Sequence, residues 1–147
     1  MVRLYSIGFT KKSAEKFFGL LRDHRVGCLI DVRLHPGGQL SGFARKSDLP
    51  YLLSQLAGCD YRHLPILAPT AEILGDYRRD HDWDRYVGRF EALMDERRVP
   101  EAIEGSMFRE GSACLLCSEA TPDRCHRRLV AERLARAWPG VEIVHLD

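Results

Sequence analysis

No apolar stretch of this chain approaches the roughly 20 residues that a membrane-spanning helix requires, so no membrane association is expected. The amino terminus, Met1-Val2-Arg3-Leu4-Tyr5, enters a strand pattern without a secretory hydrophobic segment, and a cytoplasmic location is expected. An excess of charge is missing too: 22 Lys and Arg against 21 Asp and Glu leave a formal net charge of +1. That gives no global field to gather nucleic acid, which is disfavoured as a partner, and any anion-binding surface has to be local. A disulfide framework is not expected either, because five cysteines, an odd number, occur without an export signal, and reduced thiols are the default. Gly8 and the pair Gly37-Gly38 do not form a dinucleotide fingerprint, which argues against a nicotinamide enzyme. No cofactor is expected, and there is no internal repeat, linker or low-complexity segment.

What is present fits one soluble domain over residues 1–147, with 45% hydrophobic and 29% charged residues. Val2 to Phe9 reads as a strand, and Ala14, Phe17, Phe18 and Leu21 then fall on one helical face. Cys28 to Arg33 is a short apolar strand stopped by His35-Pro36-Gly37-Gly38. Pro and Gly between Pro36 and Arg45 argue against regular structure and predict a loop long enough to cover a site. Asp48 opens a helix with Leu49, Leu52, Leu53 and Leu56 as its stripe, and Tyr61 to Ile66 reads as a third strand. A surface helix over Ala71 to Arg79 precedes a clear amphipathic one carrying Trp83, Tyr86, Val87, Phe90, Leu93 and Met94; Pro100 stops that pattern from running on to Phe108. Ala113 to Cys117 has the character of a buried strand. Thr121 and Pro122 predict the start of a helix running to about Trp138, and Val141 to Leu146 closes the chain as a strand. Alternating strands and helices imply an α/β, three-layer Rossmann-like fold with a mostly parallel sheet of about five strands.

In such sheets ligands bind beyond the carboxyl ends of the strands. Those ends carry Asp31, Arg33 and His35 after the second strand, and Cys117 and Glu119 after the fourth. The two groups would converge if the strands are neighbours. Cys117, near a helix start and near Arg and His, is the candidate nucleophile, since those surroundings favour the reactive thiolate; a buried structural cysteine is the competing reading. His126 is either its general base or a packed histidine. Arg33 and Arg127 are candidate anion clamps, Arg33 being equally suited to a buried bridge with Asp31. Arg124 reads as part of a solvated helix face, with a local basic patch as the alternative. Cys117, Cys125 and His126 together offer an alternative as zinc or iron ligands, though without a fourth ligand at a familiar spacing. Cys114 and Cys117, three apart on a strand, should face opposite sides of the sheet.

The ordered set Ile7-Gly8-Phe9-Thr10, Asp31-Val32-Arg33 with Pro36 and Gly42-Phe43, Tyr61-Arg62-His63-Leu64-Pro65, and Leu115-Leu116-Cys117-Ser118-Glu119 with Cys125-His126-Arg127 resembles the domain-of-unknown-function 488 family over nearly the whole chain. The resemblance implies a small single-domain α/β protein whose motif residues here are Asp31, Arg33, Cys117, Glu119, Cys125, His126 and Arg127. It brings no established reaction. Gly38 stands where a serine is common, and Leu67-Ala68-Pro69 where Leu-Gly-Gly is common. The residues point to a thiol-dependent enzyme acting on a small anionic molecule, with Cys117, His126 and Glu119 as catalytic residues and Asp31, Arg33, His35 and Arg127 as substrate-binding ones. A non-catalytic nucleotide- or nucleic-acid-binding module and a Cys/His metal protein are the alternatives.

Overall fold

The computed structural model describes residues 2–109 and 112–147. Five strands, β1 (Val2–Gly8), β2 (Cys28–Asp31), β3 (Asp60–His63), β4 (Ala113–Cys117) and β5 (Val141–Leu146), form one sheet in the order β3-β2-β4-β1-β5. Every pairing is parallel. From β1 the chain moves outward through β2 to β3, then reverses to place β4 between β1 and β2 and finishes at β5. Helices α1 (Ala14–Asp23) and α2 (Leu49–Ala57) cover one face with Phe17, Phe18, Leu21, Leu49 and Leu53. Helices α3 (Ala71–Asp80), α4 (Trp83–Glu96) and α6 (His126–Ala137) cover the other with Ile73, Phe90, Met94, Leu129, Val130 and Leu134; a short α5 (Ser106–Arg109) precedes β4. The architecture is therefore the expected three-layer one, with the sheet parallel throughout. Among the described residues no helix is long and apolar enough to cross a membrane.

The reversal determines where a site can form. Loops leaving β1 and β2 turn towards the α1–α2 face, while the loop leaving β4 between them turns towards α6, so a crevice opens at the end of β4. The period-two alternation of a strand sends Ala113, Leu115 and Cys117 to the α4–α6 face and Cys114 and Leu116 to the other. Cys117 thus lies at the carboxyl end of the central strand, facing the crevice.

Several boundaries differ from the sequence reading. The third strand ends at His63 because Pro65 cannot donate to a ladder, and residues Pro65–Leu67 wind into a short 3₁₀ turn. Segment 36–45 is not wholly irregular: Gln39–Ala44 forms 3₁₀ structure broken at Gly42, where φ is +54°. Its Phe43 packs against Phe9, Phe17 and Phe18, which draws the loop towards the α1–α2 face. The last helix begins at His126 rather than Pro122. The preceding loop is pinned first, by the Thr10 N–H on the Ser118 carbonyl and by Arg127 on the Glu119 carbonyl, and the chain becomes helical only after Cys125, which is extended.

A buried ion pair secures the exit of β2. The Asp31 carboxylate accepts from Arg33 Nε at 2.9 Å, Arg33 Nη2 at 2.7 Å, the Arg33 backbone N–H at 3.1 Å and the Tyr61 hydroxyl at 2.6 Å. Both charged side chains are sequestered from water. Removing one member strands the other charge, whereas removing a single neutral donor does not. Asp31→Ala is therefore expected to lose about 3–5 kcal/mol of unfolding free energy and Tyr61→Phe about 1.5–3 kcal/mol, measured by urea denaturation. Equal losses would show that the guanidinium finds other compensation.

Candidate functional site

Cys117 is 5% exposed and His126 7%. The carbonyl of Val32, just past β2, accepts a 2.6 Å hydrogen bond from His126 Nε2. A carbonyl cannot donate, so Nε2 carries the proton and Nδ1 is left facing the Cys117 sulfur at 3.7 Å. The tautomer is thereby fixed by the backbone of a neighbouring strand. Phe90 of α4 packs against the imidazole with its ring centroid 5.7 Å away.

The surroundings favour a thiolate at Cys117. The adjacent Cys125 S–H acts most strongly; burial opposes the charge, but His126 and the Glu119 backbone N–H add to the stabilisation, holding the Cys117 pKa well below the ordinary thiol value. Burial and the neighbouring Cys117 sulfur push Cys125 the other way, so that it keeps its proton. Burial also works against a charge on His126, yet Cys117 and the Val32 carbonyl outweigh it and raise the imidazole pKa. Together these shifts favour charge separation between Cys117 and His126, with Cys125 as a hydrogen-bond donor beside them. For the remaining cysteines burial outweighs the help they receive: it raises Cys28 and Cys114, and pushes Cys59 up to about 12.

Cys117, Cys125 and His126 border a cavity of about 400 Å³ that also meets Arg33, His35 and Glu119. The cavity thus brings together five of the seven candidate catalytic and binding residues. Asp31 and Arg127 lie outside it. Arg33 reaches its edge with its donors committed to Asp31, the Ser41 hydroxyl and the Ala44 carbonyl, the bridge that was one of its two readings. Arg127, fully buried, donates from Nε to the Ser6 hydroxyl at 3.2 Å and from Nη1 to the Glu119 carbonyl at 2.7 Å, while its Nη2 has no partner among the described residues. It therefore holds the loop whose Glu119 N–H faces Cys117. None of the described side chains of 36–45 lines the cavity; Leu74, Tyr77, Arg78 and His81 at the α3 side, with Tyr86 of α4, do so instead.

Of the cavity residues that the sequence pattern did not assign, Tyr86, Arg78 and Arg124 bear most on the chemistry. Tyr86 belongs to the apolar stripe of α4 and stacks between Trp83 and Phe90, but no described group hydrogen-bonds to its hydroxyl. Burial, then Cys117 and Cys125, raise its pKa, so it remains a protonated donor. Arg78 and Arg124 both reach the cavity, and neither has a carboxylate partner among the described residues, in contrast to Arg79, Arg85 and Arg89 nearby. Spacing could not reveal this, since only the docking of α3 beside the β4–α6 loop brings residues 78 and 124 together.

A parallel α/β sheet with a thiol–imidazole pair at the carboxyl end of its central strand is the class of protein that fold and site define. The family model described as domain of unknown function DUF488 matches residues 13–134, and the chain belongs to that family. No curated protein and no solved structure matches the chain.

Gly8 shows how tightly this loop is held. A Cβ there would lie 1.6 Å from the Glu119 carbonyl oxygen and 3.1 Å from Arg127 Nη1, so a side chain must displace the loop. Gly8→Ala is expected to cost about 1–3 kcal/mol through overpacking and to slow Cys117 alkylation by withdrawing the Glu119 N–H. Urea denaturation and the labelling rate check the two effects, and an unchanged labelling rate would separate the loop from thiolate stabilisation.

Proposed function

We propose that the protein is a cysteine-dependent enzyme acting on a small molecule that bears a phosphate or carboxylate. The observation that carries this reading is the Cys117 sulfur 3.7 Å from His126 Nδ1 at the wall of a cavity, with the imidazole orientation set by the Val32 carbonyl. In this reading Cys117 is the nucleophile and His126 its proton acceptor and counter-charge. The Glu119 N–H supports the thiolate, and the Glu119 and His35 side chains contribute to the cavity edge. Arg78 and Arg124 supply the anion contact, because no carboxylate among the described residues neutralises their guanidinium forks. Tyr86 donates a hydrogen bond to the bound molecule. Arg33 and Arg127 act from behind, holding the two loops that frame the cavity.

One further observation favours a second reading. The ligand atoms of Cys117, Cys125 and His126 all lie within 4.8 Å of one another, and a histidine whose far nitrogen is held by a carbonyl is suitably oriented for a metal. In this arrangement a divalent ion such as Zn²⁺ would take two thiolates and one imidazole and leave a position open to the cavity.

A depressed thiol pKa means that the reactive charged form persists as pH falls and is lost only below the folded-state value. Iodoacetamide should therefore label Cys117 first among the five cysteines, with a rate that stays high well below the midpoint of about 8.5 for a free thiol. His126→Asn should move that midpoint upward. A labelling profile like that of a free thiol would remove the nucleophile reading. Elemental analysis of protein purified without chelator decides the second reading: stoichiometric zinc with protected thiols supports it, and metal-free protein with a fast-labelling Cys117 eliminates it.

A further inference from the structure

We propose that Cys117 and Cys125 work as a redox dithiol, and that the activity is the two-electron reduction of a small organic disulfide carrying a carboxylate or similar anion. The proposal rests on the reading of Cys117 as the reactive thiolate and assigns a role to the second sulfur, which that reading leaves unused. Cys125 is the residue immediately before α6, where Ser, Thr, Asp or Asn would cap the helix by accepting from its free N–H groups. Its side chain makes no such capping bond. A cysteine here stabilises the helix poorly, yet its sulfur faces the same cavity as Cys117, and the ligand atoms of this pair and His126 lie within 4.8 Å. Because Cys125 is extended and lies outside the helix, its position depends on loop 118–125 more than on helical geometry. The loop is held at Ser118 and Glu119, so the approach needed to form a disulfide is made at its far end, next to α6.

The cavity lining identifies the oxidant class. A hydroperoxide needs neither an apolar wall nor a cationic rim, whereas Pro69, Leu74, Tyr77 and Tyr86 provide the first and Arg78 and Arg124 the second. A carboxylate-bearing organic disulfide uses both. In the first step the Cys117 thiolate attacks one sulfur of the substrate, forming a mixed disulfide and expelling the other half as a thiolate. In the second, Cys125 attacks the Cys117 sulfur, forming the Cys117–Cys125 disulfide, and its proton leaves with the second half as a free thiol. The substrate gains two electrons and the protein loses two. An external thiol reductant then restores the dithiol by two exchanges.

The test uses the aromatic dicarboxylate disulfide 5,5′-dithiobis(2-nitrobenzoate) on the full chain carrying Cys28→Ser, which removes the half-buried thiol remote from the site. The expected result is fast release of two thionitrobenzoate ions per chain, a Cys117–Cys125 disulfide by non-reducing peptide mass mapping, and recovery of both thiols with dithiothreitol. Cys125→Ser and Cys125→Ala should each stop after one release and retain the mixed disulfide on Cys117. Arg78→Gln combined with Arg124→Gln should slow the first release about tenfold, the scale expected for lost charge-assisted contacts. If Cys117 reacts fast but the mixed disulfide persists with Cys125 present, the dithiol proposal fails while the nucleophile reading stands. If Cys117 reacts no faster than a free thiol, the underlying reading fails as well. Faster oxidation by hydrogen peroxide than by the aromatic disulfide overturns the substrate class.

Discussion

One hydrogen bond organises the candidate site: His126 Nε2 to the carbonyl of Val32. It joins the start of the last helix to the chain leaving a non-consecutive strand, and it determines which imidazole nitrogen meets the Cys117 sulfur. Were the ring free to turn, the sulfur would face a mixture of donor and acceptor nitrogens, and the thiolate would lose the share of its stabilisation that His126 adds to that of Cys125. With Nδ1 directed at it, charge separation stabilises both partners. The same bond can be made only if β2 and β4 are neighbours, so the site depends on the strand order and not on local sequence alone.

The two buried arginines are explained by the same constraint. Arg33 ties the exit of β2 to Asp31 and to segment 41–44, and Arg127 ties the exit of β4 to Ser6 and to the Glu119 carbonyl. Each holds a loop that would otherwise be free to withdraw from the crevice. Charge inside a protein is costly unless it is compensated, and here it lies where two loops must be held beside one sulfur. The cations at the cavity rim differ in kind: Arg78 and Arg124 lack carboxylate partners among the described residues and reach the opening. Burial thus separates Arg33 and Arg127, which hold loops, from Arg78 and Arg124, which are exposed at the opening.

Cys125 stands at a capping position that its side chain does not fill. A capping serine there would accept from the first-turn N–H groups and strengthen α6. The cysteine gives that up and adds a second sulfur to the cavity, consistent with a role in chemistry. The metal reading draws on the same three atoms as the dithiol one, and the two differ in whether the sulfurs are exchanged or held.

The alternation of apolar strands with amphipathic helices is enough to establish the three-layer parallel fold, because period-two and period-3.6 patterns are local properties of the chain. Cys117, Cys125 and His126 are legible as candidates for the same reason, since they stand together at one strand-to-helix junction. Local preference alone misplaces the start of α6, because the pinning of loop 118–125 by Thr10 and Arg127 comes from distant parts of the chain and overrides Thr121 and Pro122. Arg33 is ambiguous in sequence because its alternatives differ only in burial. Tyr86, Arg78 and Arg124 carry no local sign of their place at the cavity, because the packing of α3 and α4 over the end of β4 is what brings them there. The sequence determined which elements form and which residues carry reactive chemistry; the tertiary structure alone decided which of them face each other, since that depends on strand order and on contacts between residues far apart in the chain.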